Sequence, residues 1–216
     1  DGATSSTSLL LGTGVSTSST ENTVVGQNAG AAIDSSKNTY VGNAAGRYIE
    51  DEENTGIGNQ SLGGATGSNQ TGTIRRNTAV GDRSLSKLAN GASDNTAVGT
   101  WSGENMTTAT GNTLVGRSSG SYLTTGSNNT FLGFGVGSAT STTSGNTGVG
   151  YNALNVNIGT KNVAIGYEAL DSNTTANKNT ALGYQAGDVI TTGENNICIG
   201  HNADASSATA SNEITL

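Results

Sequence analysis

One nine-residue phrase, Asn179-Thr180-Ala181-Leu182-Gly183-Tyr184-Gln185-Ala186-Gly187, returns with variation along nearly the whole chain. Its anchor is the glycine that closes Asn-Thr-x-aliphatic-Gly. That glycine falls at Gly26, Gly42, Gly58, Gly81, Gly99, Gly116, Gly133, Gly150, Gly166, Gly183 and Gly200, preceded by an eroded copy ending at Gly12. Successive intervals are 14, 16, 16, 23, 18, 17, 17, 17, 16, 17 and 17 residues. A repeat of about 17 residues is too short for two helices and a turn, so the helical solenoids are excluded.

The copies align in columns. Four residues before each full anchor stands asparagine: Asn22, Asn38, Asn54, Asn77, Asn95, Asn112, Asn129, Asn146, Asn162, Asn179 and Asn196. Threonine follows, except at Val163 and Ile197. The residue before the glycine is aliphatic throughout, as at Val25, Val115, Val149 and Leu182. Three residues after it stands a small residue such as Ala29, Ser84 or Ala186, with Val136 the exception. Thr-x-Val alternates with period two and is β-branched, which predicts a strand. The glycine suits a corner of positive φ. Asparagine tolerates the left-handed region and bonds its own backbone at a turn. Residues such as Tyr184–Gly187 then read as a second short strand, followed by a polar loop. The predicted fold is all-β: a parallel β-solenoid of about twelve coils of about 17 residues, stacked about 4.8 Å apart into a rod of roughly 55–60 Å.

Composition bears on how such coils are held. Leu, Ile, Val and Phe make up under roughly a fifth of the chain, a level that usually fails to build one globular core. The expected core column is the aliphatic before the glycine, with the threonine methyl on the same face and the small residue beside it. The x column (Val24, Tyr40, Ala79, Ala97, Leu114, Phe131, Ala164, Ala181 and Cys198 among it) then points the other way. A strand apolar on both faces asks for burial on both, so self-association about the long axis is expected, most simply as a homotrimer. Inward threonines also argue against an ice-binding face.

The net charge of −7 and pI of about 4.5 argue against a nucleic-acid partner, which wants a basic stripe. Cys198 is the single cysteine, so no intrachain disulfide forms. No run reaches about 18 apolar residues, so no direct membrane insertion is expected. There is no signal peptide and the chain opens abruptly at Asp1, which reads as a piece of a longer protein. The expected organisation is a lead-in over 1–7, the repeat domain over 8–204, and a C-terminal strand over 205–216 leading to an absent downstream domain.

Asn-Thr-Ala-Val-Gly followed by x-x-Ala resembles the Asn-Ser-Val-Ala-Ile-Gly-x-x-Ala signature of trimeric autotransporter adhesin heads, from about Leu9 to Ala203. That resemblance implies a left-handed parallel β-roll that trimerises. Two departures matter: these coils are longer than the family's usual 14–15 residues, and Thr replaces Ser. Longer coils of this kind are similar to the shafts and heads of bacteriophage tail fibres. Ser211-Asn212-Glu213-Ile214-Thr215-Leu216 resembles the strand leading into the intramolecular chaperone domain of tail fibres and endosialidases. The resemblance implies a virion tail-fibre segment for host attachment, with a cell-surface glycan or protein as partner. The alternatives are a bacterial surface adhesin head and a passive spacer shaft.

Three features are candidates for ligand contact. Phe134, Tyr151, Tyr167, Tyr184 and His201 directly follow the anchor glycine on five consecutive coils. The same position is polar in earlier coils (Gln27, Asn43, Asn59, Asp82, Thr100, Arg117), so the column is expected to face outward or towards a groove. Such a ladder of rings either stacks on sugars or packs on itself or a neighbouring protomer. Second, the coil between Gly58 and Gly81 carries about six extra residues within Leu62–Arg76, including Arg75 and Arg76. Solenoid insertions map to loops on one face, often the binding face, and loops also tolerate insertion without purpose. The acidic run Glu50–Glu53 lies one coil earlier, as a partner for these arginines or as a solvated stretch. Third, Trp101 is the single tryptophan, in an otherwise polar column two residues after the glycine. It is either an exposed contact or a ring flat over its own loop.

Catalytic chemistry is thin. His201 is the single histidine and lacks a Cys/His/carboxylate cluster, so neither a zinc site nor a Ser-His-Asp arrangement is indicated. Carboxylates are scattered over loops, with none singled out as a glycosidase pair. No metal, no cofactor and no enzymatic role is expected.

Overall fold

The computed structural model describes residues 9–13, 20–64, 73–139 and 141–216. Its regular structure is one parallel sheet of 13 strands, arranged in chain order from β1 (Leu9–Leu11) to β13 (Ile214–Thr215). No helix occurs among the described residues. Strands β1 to β12 (Ile197–Ile199) each span three residues and coincide with the twelve predicted copies. The register is the repeat itself: Thr113 lies opposite Thr130, Leu114 opposite Phe131 and Val115 opposite Leu132. The predicted parallel β-solenoid is present. Its sheet continues past Asp204 into β13, where Ile214 and Thr215 pair with Ile197 and Cys198.

The strand faces are the reverse of the sequence expectation. The x column fills the interior: Val24, Tyr40, Ala79, Ala97, Leu114, Phe131, Ala164, Ala181 and Cys198 are all buried. The aliphatic before the glycine points outward, with Ile57 40%, Val98 37%, Leu132 47% and Leu182 45% exposed. Thr and Val share a face as predicted, but that face is outside, so the threonines give no ground against an ice-binding face. The small residue after the corner is inside as expected, from Ala29 to Ala186. At three of its four serines the buried hydroxyl donates to an x-position carbonyl one coil on: Ser84 to Ala97 at 3.0 Å, Ser102 to Leu114 at 3.0 Å, Ser119 to Phe131 at 3.1 Å; Ser61 donates to Gly58 O of its own coil at 3.0 Å.

A second set of core residues was missed at sequence level. Ile33, Ile49, Leu88, Met106, Leu123 and Ile190 each stand seven residues after an anchor glycine and are fully buried. Leu62, Leu85, Leu154 and Leu170 stand four after it and are buried too. Asn157 and Asn173 occupy the seventh position in two coils; each binds back to its own loop, accepting from Gly159 N and Ala176 N.

The asparagine column also differs from expectation. These side chains are buried, and the left-handed residue is the one before each, as at Lys37 (φ 65°), Asp94 (φ 61°) and Lys178 (φ 61°). Each Oδ1 accepts a backbone N–H one coil on, from the next asparagine or, at Asn196, from Glu213; for example Asn129 N donates to Asn112 Oδ1 at 2.9 Å and Asn146 N to Asn129 Oδ1 at 3.0 Å. Nδ2 donates to a loop carbonyl of the next coil, as from Asn112 to Gly126 at 3.0 Å and from Asn179 to Gly193 at 2.8 Å, whereas at Asn38 it donates to Ser36 O of its own loop. A buried amide that meets its donors and acceptors this way stitches coil to coil without an orphaned polar group. The ladder explains why asparagine, not merely a turn residue, recurs there.

At the corner, glycine is required twice over. The anchor glycines have φ near +135°, as at Gly58 (φ 133°) and Gly81 (φ 134°), a region closed to residues with a Cβ. A Cβ on Gly58 would also stand 2.5 Å from the carbonyl oxygen of Gly81. Beyond the corner the predicted second strand is absent. Residues 184–189 form turns, with positive φ at Gln185 (50°) and Gly187 (68°). The coils are nonetheless laddered there: Gln185 N donates to Tyr167 O at 2.8 Å and Asn202 N to Tyr184 O at 2.9 Å. Alternating left-handed residues turn the chain while leaving amides free to bond along the rod.

Candidate functional site

The outward surface carries two neighbouring columns on either side of the anchor glycine. The first is the aliphatic ridge from Val25 through Val98 and Val149 to Ile199, half-buried or exposed at every coil. The threonine column lies beside it on the same strand face. This ridge, rather than the x column, is the apolar surface left to a partner.

The second is the aromatic ladder. Phe134, Tyr151, Tyr167 and Tyr184 are each about two-fifths exposed, so the column does face outward. The rings stack on one another: Phe134–Tyr151 at 5.3 Å, Tyr151–Tyr167 at 5.0 Å, Tyr167–Tyr184 at 5.1 Å and Tyr184–His201 at 5.0 Å, within 9° of parallel. Parallel register makes this almost unavoidable, because equivalent side chains sit one strand spacing apart. Ring faces inside the ladder are therefore spent on other rings, and a sugar cannot enter between them. What the ladder offers outward is ring edges and phenol oxygens. Burial, with Glu168 beside it, raises the Tyr167 phenol above its ordinary pKa.

Trp101 joins this column through Arg117. The Arg117 guanidinium lies 4.6 Å from the Trp101 ring and 5.3 Å from the Phe134 ring, a cation between two π faces. Trp101 is half-buried, in the left-handed conformation (φ 60°) that its whole column adopts. The Arg117 guanidinium thus sits over a ring that stays part-exposed. The link from Trp101 through Arg117 to Phe134 was hidden because their columns are offset by one residue.

Arg75 and Arg76 are exposed at the end of the long coil; the insertion between them and Gly64 lies outside the described residues at 65–72. Arg76 pairs with Asp94, Nε donating to Oδ1 at 2.6 Å and Nη2 to Oδ2 at 3.0 Å. That guanidinium holds the Asp94 carboxyl below its usual range. The acidic run finds other partners: Asp51 accepts from Ile74 N at 2.6 Å, and Glu53 lies 3.8 Å from Lys37. The structure thus brings Phe134, Tyr151, Tyr167, Tyr184 and His201 into one stacked column, joins Trp101 to it through Arg117, and leaves Arg75 and Arg76 apart from it.

Near the C-terminal end Asp171, Asp188 and Asp204 lie on successive coils. Burial, then repulsion from Asp204, raises the Asp188 carboxyl above its ordinary pKa, and burial raises Asp171. Among the described residues no three His, Cys, Asp or Glu side chains are grouped to hold a metal, and no helix is long and apolar enough to cross a membrane. Comparison with protein-family models, curated proteins and solved structures finds no match.

Proposed function

We propose that this chain is a rod segment of a viral tail fibre, non-enzymatic, that assembles as a homotrimer about its long axis and serves host attachment. The observation that carries the reading is the unbroken outward aliphatic ridge. Scattered surface aliphatics are ordinary, whereas a contiguous apolar stripe running the length of a fold marks an interaction surface. Three copies meeting on one axis cover one another's ridges and close the assembly, leaving no unpaired apolar face to build fibres. The likeness of the repeat to tail-fibre and trimeric adhesin segments supports the same arrangement. A left-handed roll, a virion location and a host-surface glycan or protein partner belong to this reading; a bacterial-surface adhesin head is its nearest relative in function.

A passive spacer shaft is the second reading, favoured by one observation: the ladder rings stack on each other rather than presenting their faces. The two part in an adsorption assay. Labelled full chain, offered to a panel of bacterial strains, is expected to show saturable binding to some strains that unlabelled chain competes away. Uniform failure to adsorb across the panel contradicts the attachment role and leaves the shaft.

A further inference from the structure

We propose that a notch on the N-terminal half of the rod is a binding site for carboxylate-bearing saccharides; its biological use rests on the attachment reading above, while its binding chemistry is tested separately. The coil closed by Gly58 carries Gly63-Gly64 where the coil before it carries Arg47-Tyr48 and the coil after it carries Ser86-Lys87. Two side chains missing from one coil between two occupied ones open a groove that runs on to Glu104 and Thr107, in the coil after Gly99. Its volume is about 660 Å³, within the roughly 300–1,000 Å³ of small-ligand sites. Arg47, Tyr48, Gln60, Arg83, Lys87 and Glu104 wall it over the glycine floor. The floor is held open by the backbone: Gly64 has φ +72°, and a Cβ there would stand 3.0 Å from the Tyr48 Cβ.

The charge in this groove runs against that of the chain. Three of the nine Lys and Arg residues line it with a single carboxylate, in a chain of net charge −7. Arg47, Arg83 and Lys87 are exposed. The Arg83 guanidinium is 3.9 Å from Glu104, and Lys87 Nζ donates to Asn105 Oδ1 at 2.6 Å, which orients both cations along the wall. The Arg47 guanidinium lies 5.0 Å from the Tyr48 ring.

This donor set fits an acidic sugar. An arginine fork matches a carboxylate with two parallel hydrogen bonds. Gln60 and Glu104 supply acceptors for sugar hydroxyls, and Tyr48, outside the stacked ladder, supplies ring surface for the sugar's C–H groups. Glu104 opposes a sulfate, whose oxygens offer it no proton, and accepts from the hydroxyls that a sugar carries beside its carboxylate.

Titration calorimetry on the intact chain tests the proposal, with sialyllactose and an α-1,4-digalacturonate against their neutral counterparts lactose and α-1,4-galactobiose. The acidic sugars are expected to bind about tenfold or more tightly than the neutral ones, and more weakly as salt shortens the Debye length. Arg47→Ala and Lys87→Ala, both at exposed positions that leave the core untouched, are each expected to weaken acidic-sugar binding about fivefold or more. Arg117→Ala, on the ladder, is expected to leave it unchanged. Equal binding of acidic and neutral sugars, no binding of either, or inorganic phosphate binding as tightly as the acidic sugars overturns the assignment. Adsorption to cells without acidic-sugar binding contradicts the notch alone. Acidic-sugar binding that the Arg47 and Lys87 variants lose, with no adsorption to cells, keeps the notch and rejects attachment.

Discussion

Two core positions six residues apart trade size. Where the x residue is large, its partner four after the glycine is glycine: Tyr40 with Gly46, Leu114 with Gly120, Phe131 with Gly137. Where x is small, the partner is often leucine: Gly56 with Leu62, Ala79 with Leu85, Gly148 with Leu154, Ala164 with Leu170. Two coils are small at both positions, Ala97 with Gly103 and Ala181 with Gly187. There the leucine of the preceding coil reaches across: a Cβ on Gly103 would stand 2.8 Å from Leu85 Cδ2, and one on Gly187 2.8 Å from Leu170 Cδ2. The leucines hold φ near +50°, a conformation costing a side chain about 1 kcal/mol or more, which their burial offsets. Phe131→Ala is therefore expected to cost about 3–5 kcal/mol. Adding Gly137→Leu should recover a sizeable fraction, because it recreates the Ala164 and Leu170 pairing. Urea unfolding of both singles and the double measures this as a coupling energy; simple additivity contradicts the trade. The same trade explains why the core face was misread. The Val column is uniform and looks like a core, while the true core column ranges from glycine to phenylalanine and looks variable. Its variation is made up by the partner column and by the coil next door.

At the scale of one coil, strand, corner and loop each hold by interactions with the copy above and below. The repeat, strand and corner glycine were legible because β-branching and φ requirements act locally. The turn that replaces the predicted second strand was not, since its left-handed residues include Gln185 and Leu170, which carry no turn signature. The ladder was legible as a column, and parallel register decides that its rings meet face to face. Tyr167→Ala removes its stacking on both Tyr151 and Tyr184 and is expected to cost about 1–2 kcal/mol, read as a lower melting temperature. An unchanged melting temperature together with weakened cell adsorption would instead make the ladder a ligand surface.

The C-terminal coils carry a pH response. The folded Asp188 carboxyl titrates above its unfolded value of 3.8. Its contribution to stability is therefore complete below the unfolded value and is lost as pH rises through the folded one. Asp171 and Asp51 are shifted the same way by burial. Asp94, held down by Arg76, acts oppositely: its contribution is present above 3.8 and is lost as pH falls through its lowered pKa. Between neutral pH and about pH 4.5 the raised groups dominate, so the melting temperature should rise on acidification. Asp188→Asn should raise it at neutral pH and shrink the gain. A melting temperature that falls over this range, or a gain untouched by the substitution, contradicts the assignment.

For the whole molecule, the decisive feature is which apolar column faces out. Two apolar strand faces were legible from the alternation alone, and with them the need for a second surface. Which face was inside depended on the asparagine ladder and the size trade, both properties of neighbouring coils rather than of one strand. With x inside, the outward ridge of Val, Ile and Leu is the surface that a second and third copy would cover. Light scattering on the chain as it elutes from a sizing column measures this directly. A mass of three times 21.4 kDa is predicted, and it should fall to one third when Val98→Asp and Val149→Asp place charges on the ridge while the parallel-sheet circular dichroism persists. A folded species of 21.4 kDa from the unaltered chain would contradict it.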